Sequence, residues 1–377
     1  MKTTGLSGNE MYCLDKAGYK AGDLVVGNSV HALGFGRGIG SAFRAIAGGE
    51  VTQYTNLIEE GRIAAIERME KEARDHGALG ISGVTSELVF HGTNIEFLSI
   101  GSSLHSKENS GEREELKFST STDGQDLYVQ EDAGYSPVKF VFGNVAYSIG
   151  ITSGIIGAFK TLARGEVREF SDIFNKTRHL ALERITNEAK KHGANAVVGI
   201  ETTIIPVAGS GLQEMLMIGT ASHNPALPKD SVVTSDLTPQ EMWNLNKMGY
   251  APVKILIGTS VYSLGFIGGV TSAFKSFVKG EITELSHLIY EARENALSII
   301  NKEADEIGAD EVVGVKTYVY QLGSGLIEFM AIGTAVKKVP GLTNKSEELV
   351  PQAFTQDWDT FVNGAEYSFG VELNKGL

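Results

Sequence analysis

The apolar and polar positions along this chain follow one pattern written three times. Gly-Tyr at 18–19 returns at 134–135 and 249–250, and each pair leads into an apolar stretch, Asp23–Val30, Val138–Val145 and Val253–Val261. The offsets are 116 and 115 residues, and Gly49-Glu50, Gly165-Glu166 and Gly280-Glu281 keep the same register. So do Gly77-Ala78, Gly193-Ala194 and Gly308-Ala309. A period this long is that of a domain with its own core, not of a solenoid repeat.

Within each copy the pattern predicts the same elements. A capping residue followed three positions later by a carboxylate (Ser7 with Glu10, Asp123 with Asp126, Thr238 with Glu241) opens a short helix. That helix stops at Gly18, Gly134 or Gly249. The apolar strand comes next, then a short Gly-containing helix such as Gly154–Lys160.

A long helix then spans about 51–76, 167–192 and 282–307. Its stripe in the second copy is Phe170, Ile173, Phe174, Thr177, Ala181, Ile185 and Ala189, at spacings of three and four. Alanines in the stripe allow the helix to approach a sheet closely. A strand near 193–200, apolar almost throughout, predicts burial on both faces. A turn at Gly209–Gly211 and a final strand at Glu214–Thr220 complete the unit.

The domain boundaries are therefore 1–106 for a first and most divergent repeat, 123–223 for a second and 237–338 for a third. Polar connectors at 107–122 and 224–236 read as solvated linkers. The tail, 339–377, carries Phe354, Trp358, Phe361, Tyr367 and Phe369, too many aromatics for a solvated end. Part of it is expected to dock on this chain, a neighbouring subunit or another partner.

The segment 193–200 after an Ala/Glu-rich helix, the closing Ile218–Ala221 and Ile332–Val336, and the series from Ala133 to Gly150 resemble the YbjQ-type family, described as "putative heavy-metal-binding". The likeness spans each repeat and is weakest in the first. It implies an α+β fold: three tandem repeats of a small domain, each a long helix packed on a short, mostly antiparallel sheet. It also implies ring formation, pentameric for single-domain members, and a metal ion as the only cofactor it suggests. Three repeats do not divide a five-fold ring. Five chains in three stacked rings, or a pseudo-symmetric arrangement within one chain, would reconcile the two.

Composition narrows the function classes. Glycine accounts for 45 of 377 residues, and eight positions per repeat (18, 27, 34, 38, 49, 77, 83 and 101 in the first) are Gly in all three copies. A net charge of −13 repels phosphate backbones, which argues against nucleic acid as a partner. The single cysteine, Cys13, supplies neither a disulfide nor a CxxC site. With no apolar run of about 18 residues, no membrane partner is expected, and the expected compartment is the cytoplasm.

Candidate chemistry must recur if it belongs to the unit. No His or Cys does, so a soft-metal site is poorly supported. The run Gly34–Gly40 is neither GxGxxG nor a Walker A loop. No nucleophile–His pairing recurs, so no catalytic residue is assigned, and an enzyme ranks behind binding and assembly. Charged groups do recur: Glu50, Glu166 and Glu281 where the long helix starts, and Arg62, Arg178 and Arg293 on it. Glu72, Glu188 and Glu303 face mainly solvent on that helix. Glu96, Glu214 and Glu328 open the last strand and can pair with the arginines within a unit or across an interface. They are also the only candidates for a hard cation. The leading expectation is a non-catalytic homo-oligomer in a ring or stacked ring, with a metal ion or small anion bound between domains as the alternative.

Overall fold

The computed structural model describes residues 3–32, 49–91, 94–108, 113–148, 165–207, 212–264, 283–323 and 325–349. The predicted Gly154–Lys160 helix, the Gly34–Gly40 run, Glu281 and the aromatic part of the tail lie outside them. The chain divides into a unit of residues 1–347, which holds all the described helices and strands, and a second unit of 348–377.

The elements repeat in order. The first repeat has α1 (Gly8–Lys16), β1 (Tyr19–Ala32), the two-residue β2 (Gly49–Glu50), α2 (Thr52–Asp75), β3 (Gly80–His91) and β4 (Asn94–Ser106). The connector strand β5 (Phe118–Ser119) leads to α3 (Gly124–Asp132), β6 (Ser136–Ser148), β7 (Gly165–Glu166), α4 (Arg168–Lys191), β8 (Ala196–Val207) and β9 (Leu212–His223). A second connector strand, β10 (Val233–Thr234), precedes α5 (Pro239–Lys247), β11 (Tyr250–Ser263), α6 (Thr283–Glu306), β12 (Glu311–Gly323) and β13 (Leu326–Lys338). The fold is α+β, three copies of one small domain.

The predicted caps form. Ser7 and Glu10 satisfy each other's backbone N–H groups, as do Thr238 and Glu241, and Asp123 accepts from Gln125 and Asp126. Each long helix lies on its own sheet where the strand has a glycine and the helix an alanine. A Cβ on Gly27, Gly143 or Gly258 would run into the carbonyl oxygen of Ala65, Ala181 or Ala296. Gly83, Gly199 and Gly314 sit at φ of 63°, 61° and 65°, where β3, β8 and β12 slip register against their partners. These are bulges that a side chain would strain.

Three central strands of each sheet come from one repeat and run antiparallel, but the sheets borrow from neighbours. Their orders are β1-β4-β3-β5, β10-β8-β9-β6-β2 and β12-β13-β11-β7. The two-residue β2 of the first repeat thus edges the second sheet, and β7 edges the third. The connectors are solvated only in part: β5 and β10 pair in parallel with β3 and β8, and Phe118, Thr120, Val233 and Ser235 are buried, while Arg113, Glu115, Lys117 and residues 228–231 are exposed. Two hydrogen-bonding edges left by the bulges hold them, Val84 N–H to Thr120 O and Ile200 N–H to Ser235 O.

The cores also cross repeat boundaries. Alternate residues of β6 serve two helices: Val141, Val145 and Tyr147 pack with α4, whereas Phe140 joins Ile66 and Met69 of α2, and Ala146 joins Ile58. The result is a stack in which sheet and helix alternate, each inner helix lying between its own sheet and the next. A separate core for each repeat was the expectation. The sheets have two apolar faces, and a single helix covers only one.

Candidate functional site: the junction between repeats

What recurs in three dimensions is the junction. Arg62 leaves α2 and meets Glu214 of the second repeat, Nε to Oε1 at 3.1 Å and Nη2 to Oε2 at 2.7 Å, both side chains wholly buried. Arg178 repeats this from α4, its Nη2 lying 2.8 Å and 2.9 Å from the two oxygens of Glu328. In each sheet the Glu stands at one register, opposite Val30, Ala146 or Val261. The long helix therefore carries the cation, and the sheet of the next repeat presents the anion.

Further hydrogen bonds hold each pair, although Arg178 Nη1 is buried without a partner among the described residues. Arg62 Nη1 donates to Ser86 O and Oγ, and Arg178 Nη2 donates to the Tyr147 hydroxyl. Burial opposes the charge on Arg178, but Glu328 and Tyr147 more than offset it and raise its pKa. Burial likewise pushes the Tyr147 phenol up to about 12. A buried pair of this kind adds little net stability over an apolar contact of the same shape. Losing one partner is what costs heavily, so the pair fixes which surfaces meet and in what register.

Around the ion pair the helix backbone is stitched to the next strand. Asn144 donates to Thr55 O and Ala146 N–H donates to Thr55 Oγ1. In the second junction Asn175 donates to Thr259 O and accepts from its N–H, while Val261 N–H donates to Ser171. The connectors add a further layer, Thr120 and Ser121 with Thr220, and Asp236 with Thr334 and Lys316. These polar groups were not foreseen from the sequence. Their signal was the small hydroxyl-rich run at 118–122 and 234–238, which reads as a linker until a sheet edge is known to lie beside it.

The other recurring charges divide. Glu50 pairs with Arg184 of the second repeat at 2.7 Å, and Glu166 accepts from Ser171. Neither caps its helix by a side-chain bond; Val51 and Val167 occupy the cap positions. Glu72 accepts from Val26 N–H, Glu188 pairs with Lys191, and Glu303 bridges Lys254 and His179. The outermost members differ: Arg293 lies on the surface against Glu294, and Glu96 accepts from Asn28 and His91.

This chemistry does not fit a metal ion. Both oxygens of Glu214 and Glu328 are held by guanidinium, and among the described residues no cluster of three or more His, Cys, Asp or Glu is placed to ligate one. A cleft of about 450 Å³ lies between the second and third repeats, lined by Asp123, Asp126, Glu201, Asp236 and Lys316 among others. No His or Cys lines it, and four carboxylates against one lysine suit no small anion. Burial raises the Asp126 pKa against the hydrogen bond from Gln240. Asp236 is bonded to Thr334 and Lys316. No described helix is long and apolar enough to cross a membrane.

Beyond Lys338 the chain folds back. Lys345 N–H donates to Asp132 O, Ser346 bonds the Asp132 carboxylate, and Asn344 meets Trp243 O and Asn246.

A family profile described as "Putative heavy-metal-binding" (YbjQ) matches residues 15–99, 128–224 and 246–339. An encapsulin nanocompartment protein of Mycobacterium tuberculosis is 31% identical over 227 residues, 58% of this chain and 84% of that protein. A UPF0145 protein of Thermosipho melanesiensis is 39% identical over 90 residues, 24% of this chain and 81% of its own length. Another, from Thermotoga maritima, is 42% identical over 81 residues, 22% and 76% respectively.

Proposed function

The chain belongs to the YbjQ family, with three copies of its domain, and from that premise we propose that it is a non-catalytic, self-assembling protein of the cytoplasm that builds a ring. The observation that carries this reading is the junction itself. The same surfaces meet twice within one chain, each time around a wholly buried Arg–Glu pair. Surfaces of that kind join like units in series, and the two ends of any such series keep one surface each. Side-by-side packing of the repeats favours a single ring of repeats over three stacked rings. The relative that bears the name of a nanocompartment protein supports assembly as the family's use of this domain. The buried, unpaired Cys13 thiol is in keeping with a reducing compartment.

Light scattering on the full chain tests this. The expected result is a discrete mass that is a multiple of 40.4 kDa and persists on dilution through the micromolar range. A stable species at 40.4 kDa would remove assembly as the function.

A further inference from the structure

Both ends of the stack are unfinished, and they are complementary. At the start, the outward face of β1 is bare. Leu24 and Val30 are 38% and 60% exposed, while Phe140, Ala146, Ile255 and Val261 at the matching positions of β6 and β11 are buried. What covers those positions is the long helix of the preceding repeat. At the finish, that helix is bare. Ile289 on α6 is 38% exposed where Ile58 and Phe174 are fully buried, and Arg293 is exposed where Arg62 and Arg178 are not.

The sheet edges differ in the same way. Val84 and Ile200, the bulge residues that bond the connectors, are buried, whereas Val315 on β12 is 43% exposed. Among the described residues no strand lies on the outer side of β12. The run that would lie there is also present. Thr3, Thr4 and Leu6 stand at the repeat positions of Ser119, Thr120 and Thr122, and of Thr234, Ser235 and Leu237. The Thr3 carbonyl already accepts from Leu24 N–H, as the side chains of Ser119 and Thr234 accept from Phe140 and Ile255 N–H.

We propose that the third repeat of one copy docks on the first repeat of a second copy through this same junction. Arg293 pairs with Glu96 of the next copy, and that copy's Thr3–Leu6 segment lies along β12. The proposal rests on the self-assembly reading and specifies its surface and partner. It follows by continuity with two interfaces of known geometry: each missing group at one end is supplied by the other. Among the described residues Glu96 meets Asn28 and the exposed His91, and Arg293 meets Glu294 and the Tyr290 ring on its own helix, all surface contacts open to exchange. The contact is heterologous, so the copies form a closed ring or an open filament, and a closed ring contains a multiple of three repeats.

The test uses Glu96→Arg and Arg293→Glu, purified separately and weighed beside the wild type, with thermal melts to show that each is folded. Each variant should fall to 40.4 kDa under conditions where the wild type is assembled. Mixed in equal amounts they should regain complexes of two copies or more, because every contact between unlike chains again sets Arg against Glu. Glu96→Gln, which keeps shape and loses charge, should weaken assembly at least ten-fold. Variants that keep the wild-type mass, or folded variants that stay monomeric when mixed, would overturn the pairing and leave self-assembly standing. A monomeric wild type would remove both.

Discussion

Arg62 and Arg293 occupy the same position of one repeated helix, yet one is wholly buried and the other lies at the surface. The difference is the presence of a following repeat. Removing Arg62 strands Glu214 without a counter-charge in a dry junction, and Arg62→Ala should cost about 3–5 kcal/mol of stability in denaturant unfolding. Arg293→Ala, which breaks surface contacts with Glu294 and the Tyr290 ring, should cost at most ~1 kcal/mol in the isolated monomer. Equal costs would mean that the buried pairs do not organise the junction. Gly143 answers to a different constraint. A methyl there meets the Ala181 carbonyl, and since helix backbone cannot step aside, Gly143→Ala should lower stability by roughly 1–3 kcal/mol. Wild-type stability in that variant would show that the helix and strand are not held at contact distance. Both positions were visible in the sequence as recurring residues. Which copy's Glu each arginine meets was not, because a fixed period puts Arg and Glu at the same offset whether they pair within a unit or across two.

Among the elements, the long helices were the most legible. Their apolar stripes predicted 51–76 and 167–192, against Thr52–Asp75 and Arg168–Lys191. The strand predicted at 193–200 instead begins at Ala196 and continues to Val207, because Glu201 and Thr203 turn to solvent and break the apolar run that marked it. The connectors were misread because two residues of parallel pairing leave no periodic trace, and their partner edge lies far off in sequence. Contacts between long helices carry a pH signature. His179 on α4 faces Glu303 on α6, and its hydrogen bond to that carboxylate raises the His179 pKa above its ordinary 6.5. Burial alone would raise Glu303, but His179 and Lys254 outweigh it and hold it below 4.5. The contribution of His179 is complete below about 6.5 and lost as pH rises through its elevated native value; that of Glu303 is lost as pH falls through its lowered one. The contact is therefore strongest between roughly pH 4.5 and 6.5. Because His179 is 38% exposed, it is worth only a few tenths of a kcal/mol. Urea midpoints at pH 6 and 9 should converge for wild type and His179→Gln at the higher pH. A gap that stays constant would exclude the linkage.

At the scale of the molecule, sheet and helix alternate from β1 to α6, beginning on an uncovered sheet face and ending on an uncovered helix. The acidic balance of −13 opposes indiscriminate contact between such faces, and in the proposed assembly the matched Arg and Glu select the partner. Three repeats are joined by two buried pairs, and in the proposed assembly the next member of that series is another copy. An electron cryomicroscopy reconstruction of the full chain, assembled in solution, tests this most directly. The expected map shows repeats that each have two like neighbours, in a total divisible by three, with Arg293 of every copy against Glu96 of the next. Copies that meet through other surfaces, leaving Val30 and Ile289 in water, would contradict it.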